Sequence, residues 1–561
     1  MIKKTTPFPL SALALSSGLL CALSAQAMEL GSDPDTKIRL DLTPKYSTAY
    51  RVKNASAALT SPASDGGVTN ENDGDANFSK KGFVSNRVDL LTEFDVTHGN
   101  VGLRVSHAAW YDSKYTGHSG NDGTTGVSNL TSQAANEYMP LTARQSGRGN
   151  EFLDAFVFGK GHLGDMPASV RIGKHALVYG ESLFFGQNSI ANAQGPVDIA
   201  KIMSVPNWQF KEVLLPVEQI SGSLQVTDAV TLGAYYQLKW RPSKLPGVGS
   251  YFSNQDYLGG GRVYLPPTLG GMTPNVDSKD QTPSNSGQFG GQLRWSPAGS
   301  AFEYGFYAAR YNEKTPAVPV FDVINGHTRR VYAEGIKTLG ASVTSSVGPL
   351  NWALEGSFRV DAPLASDPAV LLPAFLGLGG PAADCSGSPS NPCSAIGKTA
   401  HLNLSGIYVL TKNGLWDGGA VVAELAWNRT LSVTKNPSVR GLGGLDPNTT
   451  RDAAALRMIF EPQYFQVLPG LDLSIPMGFG WNFYGRSSAV MNFAGGTSKA
   501  GDFNIGVKGK YKEWNMGLTY TSYFGPEKTF TVVDPQGSRM LSYGQSLKDR
   551  SYVAFNMSRT F

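Results

Sequence analysis

The stretch Ser551-Tyr552-Val553-Ala554-Phe555-Asn556-Met557-Ser558-Arg559-Thr560-Phe561 alternates. Val553, Phe555, Met557 and Phe561 share one face, while Ala554, Asn556, Ser558 and Thr560 share the other. Successive side chains of a β-strand point to opposite faces, so a period of two marks a strand with one apolar and one polar side. Arg559 breaks the pattern by standing on the apolar face.

The rhythm recurs upstream. Ile38, Leu40, Leu42, Tyr46 and Tyr50 alternate with Lys37, Arg39, Asp41, Thr43 and Lys45. Val88, Leu90, Phe94 and Val96 alternate with Arg87, Asp89, Glu93 and Asp95, and Val101, Leu103, Val105 and Ala109 with Arg104 and Ser106. Val230, Leu232, Ala234, Tyr236, Leu238 and Trp240 oppose Thr231, Tyr235, Gln237 and Lys239. About eighteen such segments occur, each near the roughly 9–11 residues that cross a bilayer at a tilt. Short turns, as at 97–100 or 512–513, alternate strictly with long polar loops, as at 51–83, 179–217 or 524–550. Both termini then lie on the short-turn side, which requires an even strand number. Eighteen satisfies this, and sixteen does if one segment has been split. The expected fold is an all-β transmembrane antiparallel barrel of about 18 strands with long extracellular loops. The terminal stretch then resembles the closing strand and assembly signal of bacterial outer-membrane β-barrels.

Six of the nine tryptophans (Trp240, Trp295, Trp352, Trp427, Trp481 and Trp514) fall on the apolar phase at or near strand ends. That placement predicts the aromatic girdles of a membrane barrel. A soluble solenoid or propeller would show a fixed repeat period, and the sequence has none.

The N-terminus agrees. Lys3 and Lys4 precede a short apolar stretch, Phe8 to Leu23, and Ala25-Gln26-Ala27 offers a small-residue cleavage site. Residues 1–27 are expected to be a secretory signal peptide, and 28–561 the barrel of the cell outer membrane. Cys21 does not mark a lipoprotein, because Leu20 precedes it where a small residue is wanted. Removing 27 of 561 residues takes away only two charges, leaving 46 basic and 44 acidic side chains. A balance of +2 recruits no nucleic acid. No later segment has the roughly twenty apolar residues of a helical span. Cys385 and Cys393, eight residues apart in a Ser/Pro-rich loop, predict one disulfide.

Nothing in the sequence points to catalysis. There is no H-E-x-x-H, no G-x-S-x-G, and no His followed two residues later by Ser; His107 is followed by Ala109 and His401 by Asn403. No cofactor or metal site is expected. Glu71, Asp73 and Asp75 offer carboxylates for Ca²⁺, but a solvated loop, bridged to lipopolysaccharide by divalent ions, is the reading preferred.

Only about ten mature residues precede the first strand, so no plug domain is expected. An eighteen-stranded barrel leaves an aqueous channel that something must narrow. The candidate is the loop 179–217, with the helix-like stretch Pro196 to Met203 and the aromatics Phe184, Phe185, Trp208 and Phe210. Folding inward would hide these rings at roughly 25 cal/mol per Å²; an outer cap is the competing arrangement. A second apolar stretch, Val370 to Leu376, is expected either to capture a hydrophobic ligand or to form a self-packed lid.

The run YGESLFFGQNSIANAQGPVDIAKIMSVPNWQFKEVLLP (Tyr179 to Pro216), with Phe152 to Lys160, Arg171 to His175, Asn86 to Leu91, Ala109 to Asp112 and Gly249 to Phe252, resembles a proteobacterial family, domain of unknown function 1302. The resemblance covers essentially the whole mature chain, with Tyr179 standing where Trp is expected before Gly-Glu-Ser. It implies an outer-membrane protein inserted by the barrel assembly machinery among outer-membrane lipids and lipopolysaccharide. It also implies a periplasmic lipoprotein-like partner and an inner-membrane exporter, in a setting of lipid or sterol handling.

The function expected first is a passive transporter for hydrophobic or amphipathic small molecules, gated by 179–217. Glu181, Asp198, Lys201, Lys211 and Glu212 would supply polar contacts, and Phe184, Trp208 and Phe210 apolar ones. The alternative is a general or ion-preferring porin whose lumen charges are Arg87, Arg104, Arg171 and Lys239. An assembly partner or an enzyme comes third.

Overall fold

Along Gly82–His98 the charged residues are the hidden ones. Arg87 and Asp89 are each 6% exposed, whereas Val88 and Leu90, which alternate with them, are 48% and 41% exposed. A soluble sheet buries its apolar face; a wall facing lipid inverts this, because only the interior offers partners for polar groups.

The computed structural model describes residues 28–29, 33, 35–60, 71–123, 134–256, 276–277, 280–316, 319–322, 327–371, 385–437, 444–535 and 539–561. The expected signal peptide, 1–27, lies outside them. Eighteen strands form the wall: β1 (Thr36–Arg51), β2 (Gly82–His98), β3 (Val101–Asp112), β4 (Arg148–Leu163), β5 (Met166–His175), β6 (Val217–Thr227), β7 (Val230–Gln237), β8 (Gln288–Trp295) and β9 (Phe302–Tyr311). The ring continues with β10 (Ile336–Val347), β11 (Leu350–Pro363), β12 (Ile396–Leu410), β13 (Gly418–Lys435), β14 (Asp452–Leu468), β15 (Leu471–Ser474 and Met477–Gly485), β16 (Ala500–Tyr511), β17 (Trp514–Phe524) and β18 (Tyr552–Arg559). Each strand pairs antiparallel with the next, and β1 pairs with β18 as well as β2, which closes the barrel. β15 breaks at Ile475-Pro476, where proline has no N–H to give to the ladder. Short turns and long loops alternate around the ring, and no helix among the described residues is long and apolar enough to cross a membrane.

The seam between β1 and β18 is short, pairing Lys45–Arg51 with Tyr552–Ser558. Below it, Leu42 and Phe561 exchange backbone hydrogen bonds of 3.1 and 2.9 Å, and Met28–Glu29 lies antiparallel beside Arg39 and Leu40. Arg559 rests over the rings of Phe561 and Trp514, 4.6 and 5.5 Å from their centroids, and reaches Glu513 at 3.1 Å. A cation stacked on aromatics at the end of a strand satisfies its charge there.

Above the seam sits an ionic knot. Arg51 binds Asp75 at 2.9 Å and Asp549 at 2.8 Å, and Arg550 binds the other oxygen of Asp75 at 2.8 Å. Burial pushes the Asp75 carboxyl up, but Arg550 and Arg51 outweigh it and hold it below its usual range. Glu71 accepts the Thr531 amide at 3.0 Å, and Asp256 accepts the amide of Asn72 at 2.8 Å. The acidic run 71–75 is therefore not a solvated loop, since Glu71 and Asp75 are buried. It ties three loops together through Thr531, Asp256 and Arg550.

Two other expectations shift. Trp240 lies past the end of β7, buried among loops, with its indole N–H donating to the Glu313 carbonyl at 3.1 Å and its ring on Tyr332. Lys239 is exposed at the rim, 3.4 Å from Glu218, and is not a lumen charge. The ladder to β6 ends at Leu238, so alternation beyond it no longer reports a face. Cys385 and Cys393 are joined by a disulfide beside Val320 and Val331. Of the apolar stretch Val370 to Leu376, residues 372–376 lie outside the described residues.

Candidate functional site

β5 and β6 are neighbours in the wall, yet the connection between them, 176–216, crosses the barrel to reach both flanks. Its first half is fixed to β8–β13 by buried polar side chains. Glu355 of β11 accepts the Glu181 amide at 2.6 Å with one oxygen and the Ile190 amide at 2.7 Å with the other. One oxygen of Glu424, on β13, accepts three successive amides, those of Leu183 (3.0 Å), Phe184 (2.5 Å) and Phe185 (3.0 Å). Its second oxygen takes the Asn403 amide at 2.6 Å. Charge-assisted bonds of this kind are the strong ones.

Asn188 uses its whole amide. It donates to Asn403 and to the Trp427 carbonyl, and accepts from Asn428 at 3.1 Å, with the His401 ring nitrogen 3.0 Å away. Arg359 donates to the carbonyls of Gln187 and Ser189 at 2.9 and 2.8 Å. Glu181 itself meets Arg294 at 3.0 Å. Gly180 makes the approach feasible: its φ is +95°, and a Cβ there would fall 2.4 Å from the Glu355 carboxylate.

The second half leans the other way, toward β1–β3, and carries fewer bonds to the wall. Ile199–Ser204 is a short helix whose N-cap, Asp198, accepts the Lys201 amide at 2.8 Å and meets Lys244 at 3.3 Å. Phe210–Val213 is capped by the Gln209–Glu212 capping box. Glu212 lies 3.9 Å from Lys201. The wall contacts are the ion pair of Lys211 with Glu93 on β2, and the Lys45 ammonium on the Asn207 carbonyl at 3.0 Å. Lys314, from the loop after β9, donates to the carbonyls of Asn192 and Ala193 near the middle of the connection. Burial pushes its ammonium down to about 8.

The aromatics do not vanish into a core. Phe184, Phe185 and Trp208 are half-buried, Phe210 is 59% exposed and Leu183 39% exposed. They border a cavity of about 1070 Å³ between the loop and the β14–β18 side of the lumen. It reaches from Phe530 and Leu541 in the long loops to Glu461 and Lys508 on the wall. The side facing the loop is apolar, with Ile202 and Met203 beside the rings, and the wall side is polar, with Arg457, Asp502 and Asn556. The rings are not packed into a core; they border this cavity.

The remaining charges of the lumen are largely paired among themselves. Arg87 forks onto Asp89 at 2.7–3.0 Å, and Arg104 contacts Glu93, Asp95 and Asp154. Arg171 stands over the Phe156 ring at 5.8 Å. Glu355, Glu424, Asn188 and Arg359 were not singled out from the sequence. The available signal was a carboxylate on the inward phase of β11 and of β13, but nothing local shows that backbone amides will meet it.

A search of curated proteins gave no match. Among solved structures, the chain is similar to OccAB4 of Acinetobacter baumannii at 9% identity, over 95% of this chain and all of that one, with a TM-score of 0.41. It is similar to the outer membrane protein opdK of Pseudomonas aeruginosa at 11%, over 93% and 98%, with a TM-score of 0.38. A BenF-like porin of Pseudomonas fluorescens Pf-5 is 9% identical over 95% and 99%, with a TM-score of 0.41. The family described as "Protein of unknown function (DUF1302)" matches residues 8–561, and the chain belongs to it.

Proposed function

We propose that the protein is a passive outer-membrane channel for hydrophobic or amphipathic small molecules, with the 176–216 loop as its constriction. One observation carries the reading: aromatic and aliphatic side chains of that loop line a cavity of about 1070 Å³ inside the barrel. Leaving apolar surface facing an aqueous lumen is unfavourable by roughly 25 cal/mol per Å², and an apolar solute in transit relieves that cost. A pore selecting ions would present unpaired charges instead, whereas Arg87 and Arg104 are neutralised by neighbouring carboxylates.

Planar-bilayer recording of the purified protein tests this. The expected result is a small current, blocked further by added amphiphile and enlarged when Phe184, Trp208 and Phe210 are replaced by alanine. A large steady current in the native protein, insensitive to amphiphile, would favour the porin reading instead.

A further inference from the structure

At the outer end of the large cavity, three long loops are joined at a pair of buried carboxyls. Asp367, between β11 and β12, and Asp446, between β13 and β14, are 3% and 0% exposed. They share a side-chain hydrogen bond. Two carboxylates have no proton to donate, so one of the pair carries one. Both oxygens of Asp446 already accept backbone amides, those of Asn448 at 2.7 Å and Leu541 at 2.6 Å. Asp367 is bound differently: its Oδ1 has no hydrogen-bond partner among the described residues. The proton therefore belongs to Asp367. Burial pushes its carboxyl far above the usual range, and the hydrogen bond and charge of Asp446 and the charge of Asp534 push the same way. The other ionisable groups at this junction are Tyr543, which feels both carboxyls, and Arg486, which donates to the Asn448 carbonyl.

The contacts around the pair hold the loops together. Ser366–Asp367 runs antiparallel to Gly444–Leu445, and the Asp446 amide donates to the Ala365 carbonyl at 3.1 Å. Asp446 takes the Leu541 amide from the loop between β17 and β18, and the Asn448 side chain donates to the Leu541 carbonyl at 2.8 Å. Pro368, Phe530 and Leu541, beside these contacts, line the large cavity.

We propose that this carboxyl pair is a proton-dependent latch on the outer mouth of the channel, shut while Asp367 is protonated and released when it ionises. The proposal rests on the channel reading above and adds its control. Losing the proton leaves two buried carboxylates in contact, and their repulsion away from water parts the loops. With the loops parted, Asp367 is solvated and ionises in the ordinary carboxylate range. Above that range the shut lid keeps a proton that the open one has lost. Each unit of pH then weakens closure until the shut form ionises too.

The test uses the full-length purified barrel from about pH 5 to about pH 8, spin-labelled at Pro447→Cys and recorded in planar bilayers. The mobile fraction of the label and the frequency of current openings should both climb, by up to about tenfold per pH unit for one proton. Asp367→Asn, which keeps a donor for Asp446 but cannot ionise, should hold both at their low-pH level. Asp534→Asn removes a charge acting on Asp367 and should shrink the climb, which keeps the test decisive if Asp367→Asn fails to fold. A label that does not respond in the native protein, a response that survives Asp367→Asn, or one undiminished by Asp534→Asn overturns the latch and leaves the channel reading standing. A responsive label with no current at any pH supports the latch and overturns the channel reading.

Discussion

The two halves of the loop that crosses the lumen are held by different physics. From Tyr179 to Asn192 it is fixed through its backbone, with amides and carbonyls bound to buried side chains of β8–β13. From Ile199 to Val213 it is two short capped helices touching the opposite wall through Lys211 and Lys45, with aromatic side chains left facing the passage. Backbone anchoring fixes position whatever the side chains do. The partly exposed Lys211–Glu93 pair is weaker and screened by salt. That leaves the Asn207 carbonyl on Lys45 as the one backbone anchor of this half to the wall among the described residues. Among the described residues the first half is tied to the wall by several backbone bonds, and the second by two contacts.

The sharpest way to break that contrast is to remove the anchor. Glu424→Ala leaves three loop amides without their acceptor, a loss on the order of 3 kcal/mol or more. The single-channel current should rise severalfold, and an unchanged current would mean that the first half is not what narrows the pore. Gly180→Ala comes next. A Cβ at φ +95° against the Glu355 carboxylate costs about 1–3 kcal/mol, seen as a lower thermal midpoint and a modestly larger current.

Lys314 tests the junction of the halves by titration. The folded group releases its proton near 8 and the unfolded one near 10.5. Between those values the unfolded chain binds more protons, so stability should rise with pH across that window. Lys314→Met should flatten the rise in a pH series of thermal melts. The smallest effect is expected from Lys211→Met. Its ammonium is partly exposed, and such a pair contributes about 0.5 kcal/mol or less. The change should appear as more frequent gating events at unchanged full conductance, and added salt should mimic it in the native protein.

The wall was legible because strand periodicity is local: Arg87-Val88-Asp89-Leu90 declares its two faces without reference to anything else. The loop drew notice for a similar reason, since Phe184, Trp208 and Phe210 fall in a polar setting that cannot shelter them. Its anchors were not. The amide of Phe184 meets a carboxylate 240 residues away, and no pattern near either residue announces the other. The acidic run at 71–75 was misread on the same account, because Asp75 finds its charge partner Arg550 475 residues downstream. Trp240 and Lys239 were misplaced because alternation continues a few residues past the last ladder bond at Leu238.

The ionic knot of Arg51, Asp75, Asp549 and Arg550 bears on how the ring comes to be shut. Its bonds to Asp549 and Arg550 join the segment entering the last strand to the first strand and first long loop, so the knot is complete only in the closed circle. An intermediate lacking β18 would hold Arg51 without Asp549, and Asp75 without Arg550. Closure therefore gains buried charge pairs as well as the hydrogen bonds of the seam.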